Sequence, residues 1–94
     1  MPTWTVVVRL VPAGGATKRS QEDVNTVAAS IRERFWENLA TATGSPDEFV
    51  VSAKVAAEIE DAARFWAMET LYSSITDALT DWRLAGINVT RAAG

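Results

Sequence analysis

The sequence predicts a two-layer α+β sandwich with the order β-α-β-α-β. Both helices lie on one face of a three-stranded sheet. Three observations lead there. Three segments alternate between apolar and polar residues, the period of a strand. The two segments between them repeat apolar residues every three or four positions, the period of an amphipathic helix. Each alternating segment is apolar on one side only. A parallel sheet covered on both faces needs strands that are apolar on both sides. The helices therefore share one face, and the other meets solvent or a partner.

The first strand covers Thr3 to Val11. Trp4, Val6, Val8 and Leu10 share one side. Pro12-Ala13-Gly14-Gly15 ends it, since proline cannot donate to a ladder and glycine breaks the pattern. Ser20 opens a helix, with Glu22 and Asp23 at the positive end of its dipole. Its stripe is Val24, Val27, Ala28, Ile31, Phe35, Leu39 and Ala42. Thr43-Gly44, with Pro46 beyond, reads as the stop.

The second strand runs from Phe49 to Ile59 and is the cleanest alternation in the chain. It is long against a typical strand of about 5–6 residues, so a bulge or an early end is expected. If it lies at an edge, it needs protection from chance pairing. Asp61 is the expected cap of a second helix from Ala62 to Leu84. The stripe of that helix is Phe65, Met68, Leu71, Tyr72, Ile75, Ala78, Leu79 and Trp82, with Gly86 as its terminal glycine. A short last strand runs from Ile87 to Arg91, and Ala92-Ala93-Gly94 is a fraying tail.

The half made of strand, long helix, glycine and short strand resembles half of a ferredoxin-like architecture. The other half lacks that architecture's hairpin strand unless Thr41 to Glu48 supplies one. The resemblance is one of architecture, and no motif accompanies it. Arg34-Phe35-Trp36 recurs as Arg64-Phe65-Trp66, but the preceding strands do not share that offset, so the chain holds no true repeat.

Composition narrows the chemistry. The 94 residues fit one domain, 1–94, and include no His and no Cys. Disulfides, zinc–thiolate sites and thiol nucleophiles are thereby excluded, and the commonest general base is missing. No metal site and no cofactor is expected. The net charge of −3 argues against nucleic acid and against an anionic membrane surface as partners. No apolar run reaches the roughly 20 residues of a membrane span, and the N-terminus has no basic signal-peptide region, so a cytoplasmic protein is expected. Arg exceeds Lys and Ala is abundant, a bias of GC-rich bacterial or phage genomes.

Three surfaces invite a functional reading. Gly14, Gly15, Lys18, Arg19 and Ser20 lead from a strand into a helix N-terminus, where backbone amides and two cations would suit a phosphate or sulfate. The spacing is not that of a phosphate-binding loop, because Thr17 precedes Lys18 and Arg19 follows it. Glu58, Glu60 and Asp61 form an acidic corner that reads as a solvated edge with a cap. Trp66 and Trp36, flanked by Arg64 and Arg32, fall off the apolar stripes, and such residues are over-represented in interfaces. The open sheet face, with Thr5, Val7, Arg9, Val11, Val50, Ser52 and Lys54, is a second contact surface. The expected function is a non-enzymatic, homodimeric protein-interaction module presenting Trp66 and Trp36 to itself or to another protein. The alternative is a small-ligand or anion-binding domain using the Gly14–Ser20 loop. A carboxylate-based enzyme is a third option.

Overall fold

The computed structural model describes residues 1–38 and 41–92. Strand β1 (Thr3–Pro12) leads to α1 (Gln21–Arg34) and a 3₁₀ turn (Trp36–Asn38). A hairpin of β2 (Thr41–Ser45) and β3 (Glu48–Ala56) follows. A continuous helical rod comes next, made of α2 (Glu60–Trp66), a π-helical segment (Ala67–Tyr72) and α3 (Ser73–Ala78). The final strand is β4 (Trp82–Arg91). The sheet is antiparallel throughout, in the order β2-β3-β1-β4. With both helical layers on one side this is a ferredoxin-like α+β sandwich of four strands, one more than expected.

The extra strand is β2. The residues expected to end the first helix belong to it. Ala42 fits a helical stripe from Phe35, but Thr41 and Thr43 are β-branched and favour an extended chain. Helix α1 stops at Arg34, and the Phe35 amide donates to the Ile31 carbonyl at 3.0 Å. Leu39, also placed on that helix, lies outside the described residues. A two-residue Pro46-Asp47 turn joins β2 to β3, and the Asp47 amide donates to Ser45 Oγ at 3.2 Å. Strand β3 ends at Ala56 and lies between β2 and β1, so it is not an edge.

The second helix also ends early. Trp82 suits both periods: it continues the helical stripe from Leu79, and it alternates with Leu84. The chain takes the second option, because Trp82 pairs with Pro12 and extends β4 to ten residues. Gly86 is not a helix terminus. It pairs with Arg9, while Leu84 pairs with Leu10, so Ala85 is an extra residue in a β-bulge. The bulge resets the alternation, bringing both Leu84 and Ile87 to the inner face. At the other end, Ile59 rather than Asp61 occupies the N-cap of α2, with no side-chain cap bond. Ser20 caps α1 as expected, accepting from the Asp23 amide at 3.1 Å.

The core is largely aliphatic, with Phe35, Phe49 and Trp82 as its buried aromatic residues among those described. Val6, Val8 and Leu10 of β1 and Phe49 and Val51 of β3 are fully buried under Val24, Leu71, Ile75 and Leu79. Each such side chain stabilises the fold by about 1.5–3 kcal/mol relative to exposure. The buried line of the long helix is Ala63, Ala67, Leu71 and Ile75, at a constant spacing of four. An ideal α-helix would rotate such a line progressively off the core. The i→i+5 bonding of Ala67–Tyr72 underwinds the rod and brings the line back. The expected stripe through Phe65 and Met68 assumed a regular helix. In the structure Phe65 is 68% exposed and Met68 lies on a flank.

Candidate functional site

The positions singled out from the sequence do not converge. Trp66 is half-buried and packs on the core, its ring meeting Phe35 edge-to-face at 6.1 Å and 81°. The residue expected to face away from the core therefore closes the contact between α2 and the end of α1. Trp36 is 68% exposed. Arg32 donates to the Ala42 carbonyl at 2.6 Å, tying α1 to β2, and Arg64 lies 3.7 Å from Glu60 one helical turn away. Glu58, Glu60 and Asp61 are exposed. Among the described residues no group of acidic side chains is arranged to hold a metal ion.

The Gly14–Ser20 loop is folded around a carboxylate of its own chain. Gly15 takes φ +84° in a turn closed by the Ala16 amide on the Ala13 carbonyl at 3.0 Å, a conformation that favours glycine. The Thr17 amide then donates to Asp81 Oδ2 at 3.1 Å, and Arg19 lies 3.4 Å from Asp81 Oδ1. Arg19 also donates to the Ala78 carbonyl at 3.4 Å. Asp81 thus occupies donors that the sequence offers to an external anion. Lys18 points into solvent. Arg19 Nε and the indole Nε1 of Trp82 are buried without an acceptor among the described residues.

A different feature is built by the irregular rod. Relative to the buried line, Trp66 and Ser74 lie on the flank that meets α1, as the Phe35 contact shows. Met68, Tyr72 and Thr76 recur at a spacing of four on the opposite flank, the β4 side of the sheet. All three are half-buried. Beneath them the inner face of β4 is incompletely covered. Trp82 and Val89 are buried near its ends, but Leu84 and Ile87 in the middle are only half-buried. The bulge at Ala85 puts these two on the same face. The result is a half-open apolar seam between the π-helical segment and an edge strand. Tyr72 supplies its one aromatic ring, and no hydrogen bond of the Tyr72 hydroxyl occurs among the described residues.

Sequence reasoning placed Met68 and Tyr72 in the closed core. A π-helical segment leaves no periodic signature, so the flank they form was not visible. The signal that was available is the series Ala63, Ala67, Leu71, Ile75. A run of fours longer than a regular helix keeps on one face points to underwinding. No enclosed cavity is present among the described residues. The seam is a shallow, half-buried apolar strip between helix and strand, and no pocket forms in it among the described residues. Among the described residues no helix is long and apolar enough to cross a membrane.

No protein-family model and no curated protein matches the sequence. Solved structures do match the fold. One is a protein of Chloroflexus aurantiacus assigned as an antibiotic biosynthesis monooxygenase. It has a TM-score of 0.57 at 9% identity over 98% of this chain and 94% of that one. A Bordetella bronchiseptica protein with the same assignment has a TM-score of 0.50 at 9% identity over 100% and 98%. The expectation of a non-enzymatic interaction module is corrected here. In both neighbours this fold, spanned almost end to end, belongs to proteins assigned an enzymatic activity. Of the two tryptophans that carried the expectation, Trp66 packs against Phe35 at the end of α1.

Proposed function

We propose that the chain is a small-molecule-binding domain of the monooxygenase type, whose substrate is a flat, largely apolar organic molecule with at least one polar oxygen. The substrate lies along Met68, Tyr72 and Thr76, over Leu84 and Ile87. The observation that carries this reading is the Tyr72 hydroxyl, without a protein partner among the described residues, in an apolar seam beside a π-helical segment. Such segments are frequent at functional sites. Binding sites for small molecules are typically apolar with a few placed polar groups. The assignment of both structural neighbours supports the reaction class.

Each residue has a definable part. Leu84 and Ile87 supply an apolar floor, Met68 an adaptable wall, and Tyr72 a hydrogen bond that fixes the substrate oxygen. Monooxygenation places one atom of dioxygen in the product and releases the other as water. It consumes two electrons and two protons from a reductant or from the substrate itself. The contribution assigned to the chain is orientation of the substrate.

Titration with naphthol, a flat hydroxyarene, tests the site. Amide shifts confined to the Met68–Thr76 segment and to Leu84–Ile87 are the expected result. Shifts elsewhere, or none at millimolar naphthol, would overturn the seam as the ligand seat. Oxygen uptake with a panel of hydroxyarenes and a reductant tests the reaction class separately. Binding without uptake across the panel would leave a ligand-binding domain and remove the oxygenase reading.

A further inference from the structure

We propose that one end of the helix–β4 seam is an anion subsite built by Arg64 and Arg91. The molecule bound there is an amphipathic organic anion, an elongated apolar body ending in a carboxylate, phosphate or sulfate. This subsite presupposes the seam as the ligand seat and adds the charge of the substrate. The two arginines come from its two walls. Met68, Tyr72 and Thr76 recur every four residues along the β4 side of the rod, and Arg64 stands four residues before Met68 in the same series. α2 packs on β4, which sets Arg64 beside that strand. On β4, Val89 pairs with Val6 and Arg91 with Trp4. Directly opposed residues of neighbouring strands share a face. Val6 is fully buried and Trp4 packs against the core, so Arg91 lies on the inner face, two residues beyond Val89.

Length and charge agree with this placement. The rod and β4 run in opposite directions from the turn at 79–81. Measured from that turn, Arg64 stands roughly 20 Å along the rod and Arg91 roughly 30 Å along the strand. Two arginine side chains together span the offset, and both are exposed. Asp61, Glu69 and Asp77 fall on the outer side of the rod, and β4 carries no acidic residue. Glu60 is the carboxylate nearest Arg64, at 3.7 Å with both side chains about half exposed, a solvated pair that an incoming anion can replace. Arg91 has no ion pair among the described residues. Guanidinium groups suit such a ligand because their planar fork matches carboxylate and phosphate oxygens. Eight residues, about 12 Å of rod, separate Tyr72 from Arg64. A ligand that meets both therefore carries its hydroxyl-like oxygen and its acidic group at opposite ends of a body longer than one ring.

Two probes of one shape test the subsite: naphthol, and a hydroxynaphthoate whose hydroxyl and carboxylate stand on opposite rings. Wild type should bind the hydroxynaphthoate about fivefold tighter than naphthol, with the arginine Nε–H signals of Arg64 and Arg91 shifting for that probe alone. Arg64→Gln and Arg91→Gln should each remove most of the preference and leave naphthol affinity unchanged. Glu60→Gln, which frees Arg64, should tighten the hydroxynaphthoate only. Arg83 pairs with Val11 on the other face of the sheet, so Arg83→Gln is the control for general charge and should change neither affinity. Equal affinity for the two probes would overturn the subsite. So would a preference that survives both Arg64→Gln and Arg91→Gln, or one that Arg83→Gln lowers as much. In each of those cases naphthol shifts along the seam would still uphold the ligand seat. Seam amides that respond to neither probe would remove the seat, and the subsite with it.

Discussion

Gly44→Ala places one methyl group where the structure has no room for it. A Cβ at Gly44 would lie 2.8 Å from the Glu48 carbonyl oxygen, 2.8 Å from Phe49 Cδ2 and 2.9 Å from Val24 Cγ1. Comfortable carbon–carbon separations are about 3.5–4.0 Å, so each carbon contact is short by at least ~0.6 Å. None of the three neighbours yields easily. The carbonyl belongs to the backbone of β3, and Phe49 and Val24 are fully buried. Relief requires β2 to move off β3 or α1 to lift from the sheet. Overpacking of this kind costs about 1–3 kcal/mol, and three simultaneous overlaps place the variant at about 2–3 kcal/mol.

Urea unfolding followed by tryptophan fluorescence reads this directly. With a slope near 1 kcal/mol per molar urea, the midpoint should fall by about 2–3 M. Gly86→Ala, with nothing within 4 Å, is the matched control and should stay within about 0.5 kcal/mol of wild type. Gly44→Asn separates the strand from the helix terminus expected from sequence alone. Asparagine suits a left-handed helix cap, whereas in β2 it meets the same overlaps as alanine. A Gly44→Ala protein within about 0.5 kcal/mol of wild type, or an asparagine variant clearly better than alanine, would refute the packing of β2 described above.

Other expectations follow from single contacts. Phe35→Ala should cost about 3–4 kcal/mol and shift Trp66 emission to the red, whereas Trp36→Ala should change stability by less than about 0.5 kcal/mol. Ser20→Ala should cost about 1 kcal/mol through loss of the α1 cap, measured by thermal unfolding. Asp81→Ala frees the Thr17 amide and Arg19. The loss should be no more than about 1 kcal/mol because the ion pair is partly solvated, with faster hydrogen exchange at Thr17 as the local readout.

Much of the architecture was legible because alternation and three-to-four spacing are unambiguous where a segment satisfies only one of them. β1, β3 and α1 are of that kind. Errors gathered where a residue satisfies both periods. Ala42 continues the stripe of α1 yet belongs to β2, and Trp82 continues the stripe of α3 yet opens β4. Tertiary pairing decides such residues, and a local pattern does not carry that information. The same limit hid the seam. Its walls depend on underwinding over the six residues Ala67–Tyr72 and on the one-residue bulge at Ala85. Trp66 shows the converse case: it was noticeable as an aromatic off the apolar stripe, but its partner Phe35 lies on another helix.

The functional reading rests most heavily on Tyr72, and Tyr72→Phe removes its hydroxyl while keeping the ring. The most direct measurement is naphthol binding to wild type and Tyr72→Phe, followed through the amide signals of Met68–Thr76 and Leu84–Ile87. The expected result is shifts at those residues in both proteins, unfolding midpoints unchanged within about 0.5 kcal/mol, and affinity about 5–10-fold weaker without the hydroxyl. Equal affinity in the two proteins, or shifts that bypass the seam, would contradict it.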